Sequence, residues 1–94
     1  MANVHAALEE GVRQFDASLA GLGGCPFAPG ASGNIVMDDL VFMLEAMGLK
    51  TGVDIDALVA VREIVAAGLP NEPLLGAIAK AGVPKGFTQG KAAA

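Results

Sequence analysis

Arg13-Gln14-Phe15-Asp16-Ala17-Ser18-Leu19 runs into Ala20-Gly21-Leu22-Gly23-Gly24-Cys25-Pro26-Phe27-Ala28-Pro29-Gly30-Ala31-Ser32-Gly33-Asn34, and the junction decides how this 94-residue chain is read. The first segment alternates, with Phe15, Ala17 and Leu19 on one side and Gln14, Asp16 and Ser18 on the other, the period-two pattern of a strand. A strand needs a neighbour to satisfy its N–H and C=O groups, and the sequence offers no second one of comparable quality. The segment therefore reads as one stave of a larger sheet. In the second segment glycine permits positive φ and close backbone approach, while Pro26 and Pro29 stiffen the path. This is a loop built to hold Cys25 and Asn34 in place.

Helical patterns flank the junction. Val4, Ala7, Leu8 and Val12 fall at i, i+3, i+4 spacing with Asn3 as a candidate cap and Gly11 at the stop, which predicts a short first helix. Met37, Leu40, Val41, Leu44 and Met47 mark a second, with Asp38 and Asp39 in the first turn, where the helix dipole favours them, and Gly48 at its end. Asp54 is a good N-cap for a third, carrying Ile55, Leu58, Val61 and Val65 and closed by Gly68 and Pro70. Pro73 to Ala81 reads as a last short helix. Residues 1–82 form the folded part, and 83–94, with little to bury beyond Val83 and Phe87, are expected to be a mobile tail. The order helix, strand, loop, helix, helix, short helix is α/β: a fragment of an α/β barrel, mostly helical as an isolated chain, with its active loop at the strand's C-terminal end.

Composition excludes several function classes. The longest apolar runs, such as Leu40 to Leu44, fall far short of the roughly 20 residues that cross a bilayer, so no membrane partner is expected. The first ten residues carry Glu9 and Glu10 and neither a basic nor an apolar leader region, so a cytoplasmic setting is expected. One cysteine and one histidine make neither an internal disulfide nor a zinc site. Six basic against ten acidic residues, with no Tyr or Trp, give nucleic acid neither a charge footprint nor stacking surfaces.

For Cys25 the choice lies between a small buried hydrophobe and an exposed thiol able to act as acid, base or nucleophile; flanking glycines offer little bulk to bury it. Asn34 is either a turn or cap residue or a hard amide oxygen suited to Mg²⁺ or Mn²⁺. Gln14, Asp16 and Ser18 are solvated in an edge strand but would line a site in a barrel. His5 reads as a surface helix residue, and Met37, Met43 and Met47 as core filler. A phosphate-cradling loop is disfavoured because neither Gly-Lys-Ser/Thr nor G-x-G-x-x-G opens the following helix.

At Phe15-Asp16-Ala17-Ser18 and Ala20 through Asn34, and again at Thr51-Gly52-Val53-Asp54, the chain resembles the 3-hydroxy-3-methylglutaryl-CoA lyases of the DRE-TIM metallolyase superfamily. Related synthases that condense acetyl-CoA with 2-oxo acids lack the Gly-Gly-Cys-Pro element. The resemblance implies the C-terminal fragment of a TIM (β/α)8 barrel whose last strand is Arg13 to Ser18. It implies cleavage of 3-hydroxy-3-methylglutaryl-CoA to acetyl-CoA and acetoacetate, a reaction of leucine degradation and ketone-body formation, with Mg²⁺ or Mn²⁺ as cofactor. By matching position Cys25 would be the catalytic cysteine and Asn34 a metal ligand. The family's His-x-His pair and its first-strand Asp and Arg have no counterpart in these residues, with Met1 falling just downstream of the histidine pair. The isolated chain is accordingly expected to be inactive. The partners implied are a CoA thioester substrate, a complementary N-terminal segment or further copies of the chain. The alternative is a non-catalytic remnant that serves as a small helical interaction module or folds poorly.

Overall fold

A computed structural model of the chain describes residues 1–24, 27, 30 and 33–89. The described residues form four helices: α1 (Ala2–Glu9), α2 (Met37–Ala46), α3 (Ile55–Gly68) and α4 (Ala77–Ala81), with a tight turn at Leu19–Gly21 ahead of the loop.

Helices α1 and α2 end in the same way. Beyond α1, Gly11 takes φ 93°, its N–H donates to Leu8 O, and Val12 N–H reaches Ala7 O. Beyond α2, Gly48 takes φ 89°, its N–H donates to Glu45 O, and Leu49 N–H reaches Leu44 O. This paired closure satisfies carbonyls that the last turn would leave open, and it needs a left-handed residue just past the helix. Asp54 starts α3 as expected, its Oδ1 accepting from Asp56 N at 3.0 Å and Ala57 N at 3.2 Å.

The core lies where side chains of α1 meet α2. Val4, Leu8 and Leu40 are buried together, and Phe15, Ala17, Met37, Met43, Leu44 and Leu49 pack around them. Each such burial contributes about 1.5–3 kcal/mol, so two turns of α1 are held mainly by this contact. Val41 and Ile55 are buried as well. A groove of about 420 Å³ runs beside the core, walled by Leu8, Phe15, Leu40, Leu44 and Leu49, with Arg13 and Lys50 among its polar lining.

The expected strand is not realised as a ladder. Among the described residues there is no strand; Arg13 to Ala17 carry no backbone hydrogen bond to another segment, and only Ser18 forms a bridge, parallel, to Val36. The alternating side chains are present, but a single extended segment has nothing to pair with along its length. The last helix is also shorter than expected. Gly76, at φ 133°, sets its start at Ala77, and Asp39 caps it by accepting from Ala77 N and Ile78 N, both at 3.0 Å.

Residues beyond Val83 make two contacts that composition did not suggest. Phe87 packs on Phe42 with ring centroids 5.0 Å apart. The Gln89 carboxamide bridges the start of α3, its Oε1 accepting from Ile55 N at 2.8 Å and its Nε2 donating to Val53 O. Nearby, Glu45 is buried and accepts from Thr51 Oγ1 at 2.6 Å and Thr51 N at 2.9 Å. Those bonds, the hydroxyl first, hold the Glu45 carboxyl below its ordinary pKa of 4.5 against the opposing effect of burial.

Candidate functional site

The two ends of the loop are stitched side by side. Ser18 N–H donates to Ile35 O at 3.0 Å, and Met37 N–H returns to Ser18 O at 2.8 Å. Further in, Asn34 N–H points at Gly21 O at 3.4 Å, and the Asn34 side chain donates from Nδ2 to Leu22 O at 2.8 Å. The stems approach so closely that a Cβ on Gly23 would stand 2.8 Å from Asn34 Nδ2, so glycine at 23 is what admits this carboxamide.

Asn34 is exposed, and its amide has a defined sense. With Nδ2 committed to Leu22 O, Oδ1 is the open acceptor among the described residues. A neutral amide oxygen fixed by a hydrogen bond through its own nitrogen is a hard donor already oriented, which suits one position of a Mg²⁺ or Mn²⁺ shell. It is one donor only. Among the described residues no group of three or more His, Cys, Asp or Glu comes together to complete such a shell. Cys25 lies outside the described residues.

Behind the stems stands a buried charge that sequence reading missed. Asp38 was expected only to complement the dipole of α2, yet its side chain is fully buried. Its Oδ1 accepts from Ala20 N at 3.0 Å and its Oδ2 from Arg62 Nη1 at 2.8 Å. Arg62 also donates to Leu75 O at 2.7 Å. The one available signal was the Asp38-Asp39 pair: two adjacent acids at a helix start serve two neighbours, Asp38 the turn before the loop and Asp39 the start of α4.

The HMGL-like family model matches residues 1–65. The chain belongs to the HMGL-like family. It is 55% identical over 69 residues to the hydroxymethylglutaryl-CoA lyase of Pseudomonas mevalonii, covering 73% of this chain and 23% of that protein. It is 48% identical over 81 residues to the (R)-citramalyl-CoA lyase of Chloroflexus aurantiacus, covering 86% of this chain and 25% of that one. Among solved structures it resembles an HMG-CoA lyase from Acinetobacter baumannii in complex with coenzyme A and 3-methylmalate, with TM-score 0.83 and 49% identity over 93% of this chain and 28% of that chain. The chain thus spans about a quarter of the length of these relatives. The chain superposes on part of a TIM-barrel lyase, as the order of its elements led one to expect. Among the described residues no helix is long and apolar enough to cross a membrane.

Proposed function

We propose that this chain supplies the cysteine loop and closing helices of a metal-dependent lyase that cleaves 3-hydroxy-3-methylglutaryl-CoA into acetyl-CoA and acetoacetate. The observation that carries this reading is the Asn34 carboxamide, held through Nδ2 with Oδ1 open at the mouth of the loop, in a segment that belongs to the lyase family.

In the cleavage the bond between C2 and C3 of the acyl group breaks. Its electron pair moves to C2, next to the thioester, as an enolate. The C3 hydroxyl gives up its proton and becomes the ketone of acetoacetate, and C2 takes a proton to become acetyl-CoA. A bound Mg²⁺ or Mn²⁺ supplies Lewis-acid polarisation of the oxygens that shed and receive charge. Asn34 Oδ1 is the ligand this chain offers it, and the Cys25 thiol is assigned the proton delivery to C2. Glycine-rich stems let the backbone follow the substrate, and the stitching between them keeps the loop mouth in register. The unpaired edge of Arg13 to Ala17 and the apolar groove beside it suit coverage by the neighbouring staves of a barrel, which would bring the remaining metal ligands.

The test is a chimera in which the matching part of this chain replaces the corresponding 69 residues of the Pseudomonas mevalonii lyase. Metal-dependent acetoacetate release is expected from the chimera and not from the 94-residue chain alone. Cys25→Ser should reduce the chimera's kcat by two or more orders of magnitude, the usual scale for an acid-base group, of about 10²–10⁴. Asn34→Ala should raise the metal concentration needed for half-maximal rate. A chimera that keeps its rate with Cys25→Ser overturns the assignment of the thiol. The (R)-citramalyl-CoA lyase relative supports a second substrate reading, citramalyl-CoA, and offering the chimera both thioesters decides between them.

A further inference from the structure

Ala20 is the only non-glycine residue with positive φ, at 58°, among the described residues, and it is fully buried. Both of its backbone polar groups are held from outside the loop. Its N–H donates to Asp38 Oδ1 at 3.0 Å, and its C=O accepts from Leu75 N at 2.9 Å. Arg62 ties the two holders together through Nη1, which donates to Asp38 Oδ2 at 2.8 Å and to Leu75 O at 2.7 Å. A ring of hydrogen bonds therefore closes around one residue: Ala20 to Asp38, Asp38 to Arg62, Arg62 to Leu75, and Leu75 back to Ala20.

An alanine in the left-handed region is strained by about 1–2 kcal/mol, and it stays there only where its surroundings leave no alternative. The consequence reaches the loop mouth within two residues. The turn at Ala20 aims Gly21 O at Asn34 N–H and Leu22 O at Asn34 Nδ2. Rotation of the Ala20 backbone would carry both carbonyls away and release the carboxamide.

We infer that Arg62 and Asp38 are a positioning pair for Asn34: acting through Ala20, they hold the carbonyls that fix the Asn34 carboxamide and so present its Oδ1 to a divalent cation. The cation's place in this statement rests on the function proposed above, whereas the coupling from Arg62 to Asn34 does not. Charge, and not only bulk, is required. Asp38 is fully enclosed and the Arg62 side chain is 11% exposed, so an uncharged replacement leaves a buried carboxylate without its counter-ion.

Hydrogen exchange in the full 94-residue chain, followed by NMR, reads the coupling directly. In Arg62→Met, which keeps the stem and removes the guanidinium, the Ala20 N–H and the Asn34 Nδ2 protons should both exchange roughly tenfold faster or more, the effect of losing one charge-assisted hydrogen bond. Leu8, in the α1 core, should change far less. Arg62→Lys, which restores the charge beside Asp38, should recover most of the protection at Asn34. If Arg62→Met also lowers protection at Leu8, the milder Arg62→Gln should still accelerate Asn34 more than Leu8. The inference is overturned if Ala20 speeds up while the Asn34 amide does not. It is overturned equally if Asn34 and Leu8 change in step in both variants, or if Arg62→Lys fails to rescue.

Mn²⁺ added to the chimera with the Pseudomonas mevalonii lyase, in which the rest of the barrel supplies the other ligands, tests the supporting reading separately. Selective broadening of the Asn34 side-chain signal supports its ligand role, and this broadening should weaken in Arg62→Met. No broadening in the unmodified chimera removes the cation from the statement above and with it the ligand role of Asn34, while the exchange data continue to decide the coupling.

Discussion

Replacing Gly76 by alanine should be among the most damaging single-methyl changes in this chain. Gly76 sits at φ 133° and ψ 124°, a conformation that side chains rarely adopt, and forcing one there costs about 1–3 kcal/mol. The added Cβ would stand 2.8 Å from Asp38 Oδ2, 3.2 Å from Arg62 Nη1 and 3.3 Å from Val36 Cγ1. Neither polar atom can yield cheaply, since the two form an ion pair around a buried carboxylate, and loosening that charge-assisted bond adds about 1.5–3 kcal/mol. The sum is about 2.5–6 kcal/mol. Gly52→Ala is the control. Gly52 also has positive φ, 78°, but an alanine there meets nothing within 4 Å, so only the backbone strain of about 1–2 kcal/mol applies. Urea unfolding followed by circular dichroism should separate the two variants by a midpoint difference of about 1 M or more, given slopes of roughly 1–3 kcal/mol per M for small proteins. If Gly76→Ala unfolds at the same urea concentration as Gly52→Ala, the crowding around Asp38 and Arg62 is not as described.

Acid should weaken the chain partly through Glu45. Its carboxyl titrates below 4.5 in the fold, so the stabilisation from Thr51 is complete above that value and is lost as the pH falls through the lowered one. In a series of melting curves from pH 7 to pH 3, Glu45→Gln should be less stable at neutral pH and should lose less on acidification; parallel curves would contradict the Thr51 contact. Asp54→Ala should cost about 1 kcal/mol by removing the cap of α3, with fraying at Asp56 and Ala57 seen in amide exchange. Leu40→Ala should cost about 2–5 kcal/mol and release α1, read as a loss of helical signal at 222 nm together with lost protection at Val4 and Leu8.

Much of this architecture is written in local rules. Gly11 and Gly48 each stop a helix because a left-handed residue is needed just past the last turn, and Asp54 starts one because its carboxylate reaches two free N–H groups. Such signals depend on a few neighbours and survive in any context. The alternation from Arg13 to Leu19 is a different kind of signal. It states what a segment would do beside another strand, and without a ladder partner it leaves an extended path with one bridge at Ser18. Of the site, the residues alone left Asn34 open between a turn or cap residue and a hard amide oxygen, the resemblance alone implied a ligand, and the structure adds which of its atoms is committed. Asp38 was not legible in its main role. Its partners are 18 and 24 residues away, and no periodicity in the sequence points to contacts at those separations. The same holds for Gln89, which reaches 34 residues back to the start of α3.

The ring around Ala20 also sets an order of events when the chain folds. Its members are spread from the turn before the loop to Leu75, so the contacts that close it cannot form until α2 and α3 have met and the segment after α3 has come back over them. Helical turns form in well under a microsecond, while distant closures wait on a chain search. The loop mouth is thus assembled after the scaffold, and disturbing it should quicken unfolding far more than it slows refolding. A damaged mouth would be seen as a shorter lifetime of the finished molecule, with its birth almost unaffected.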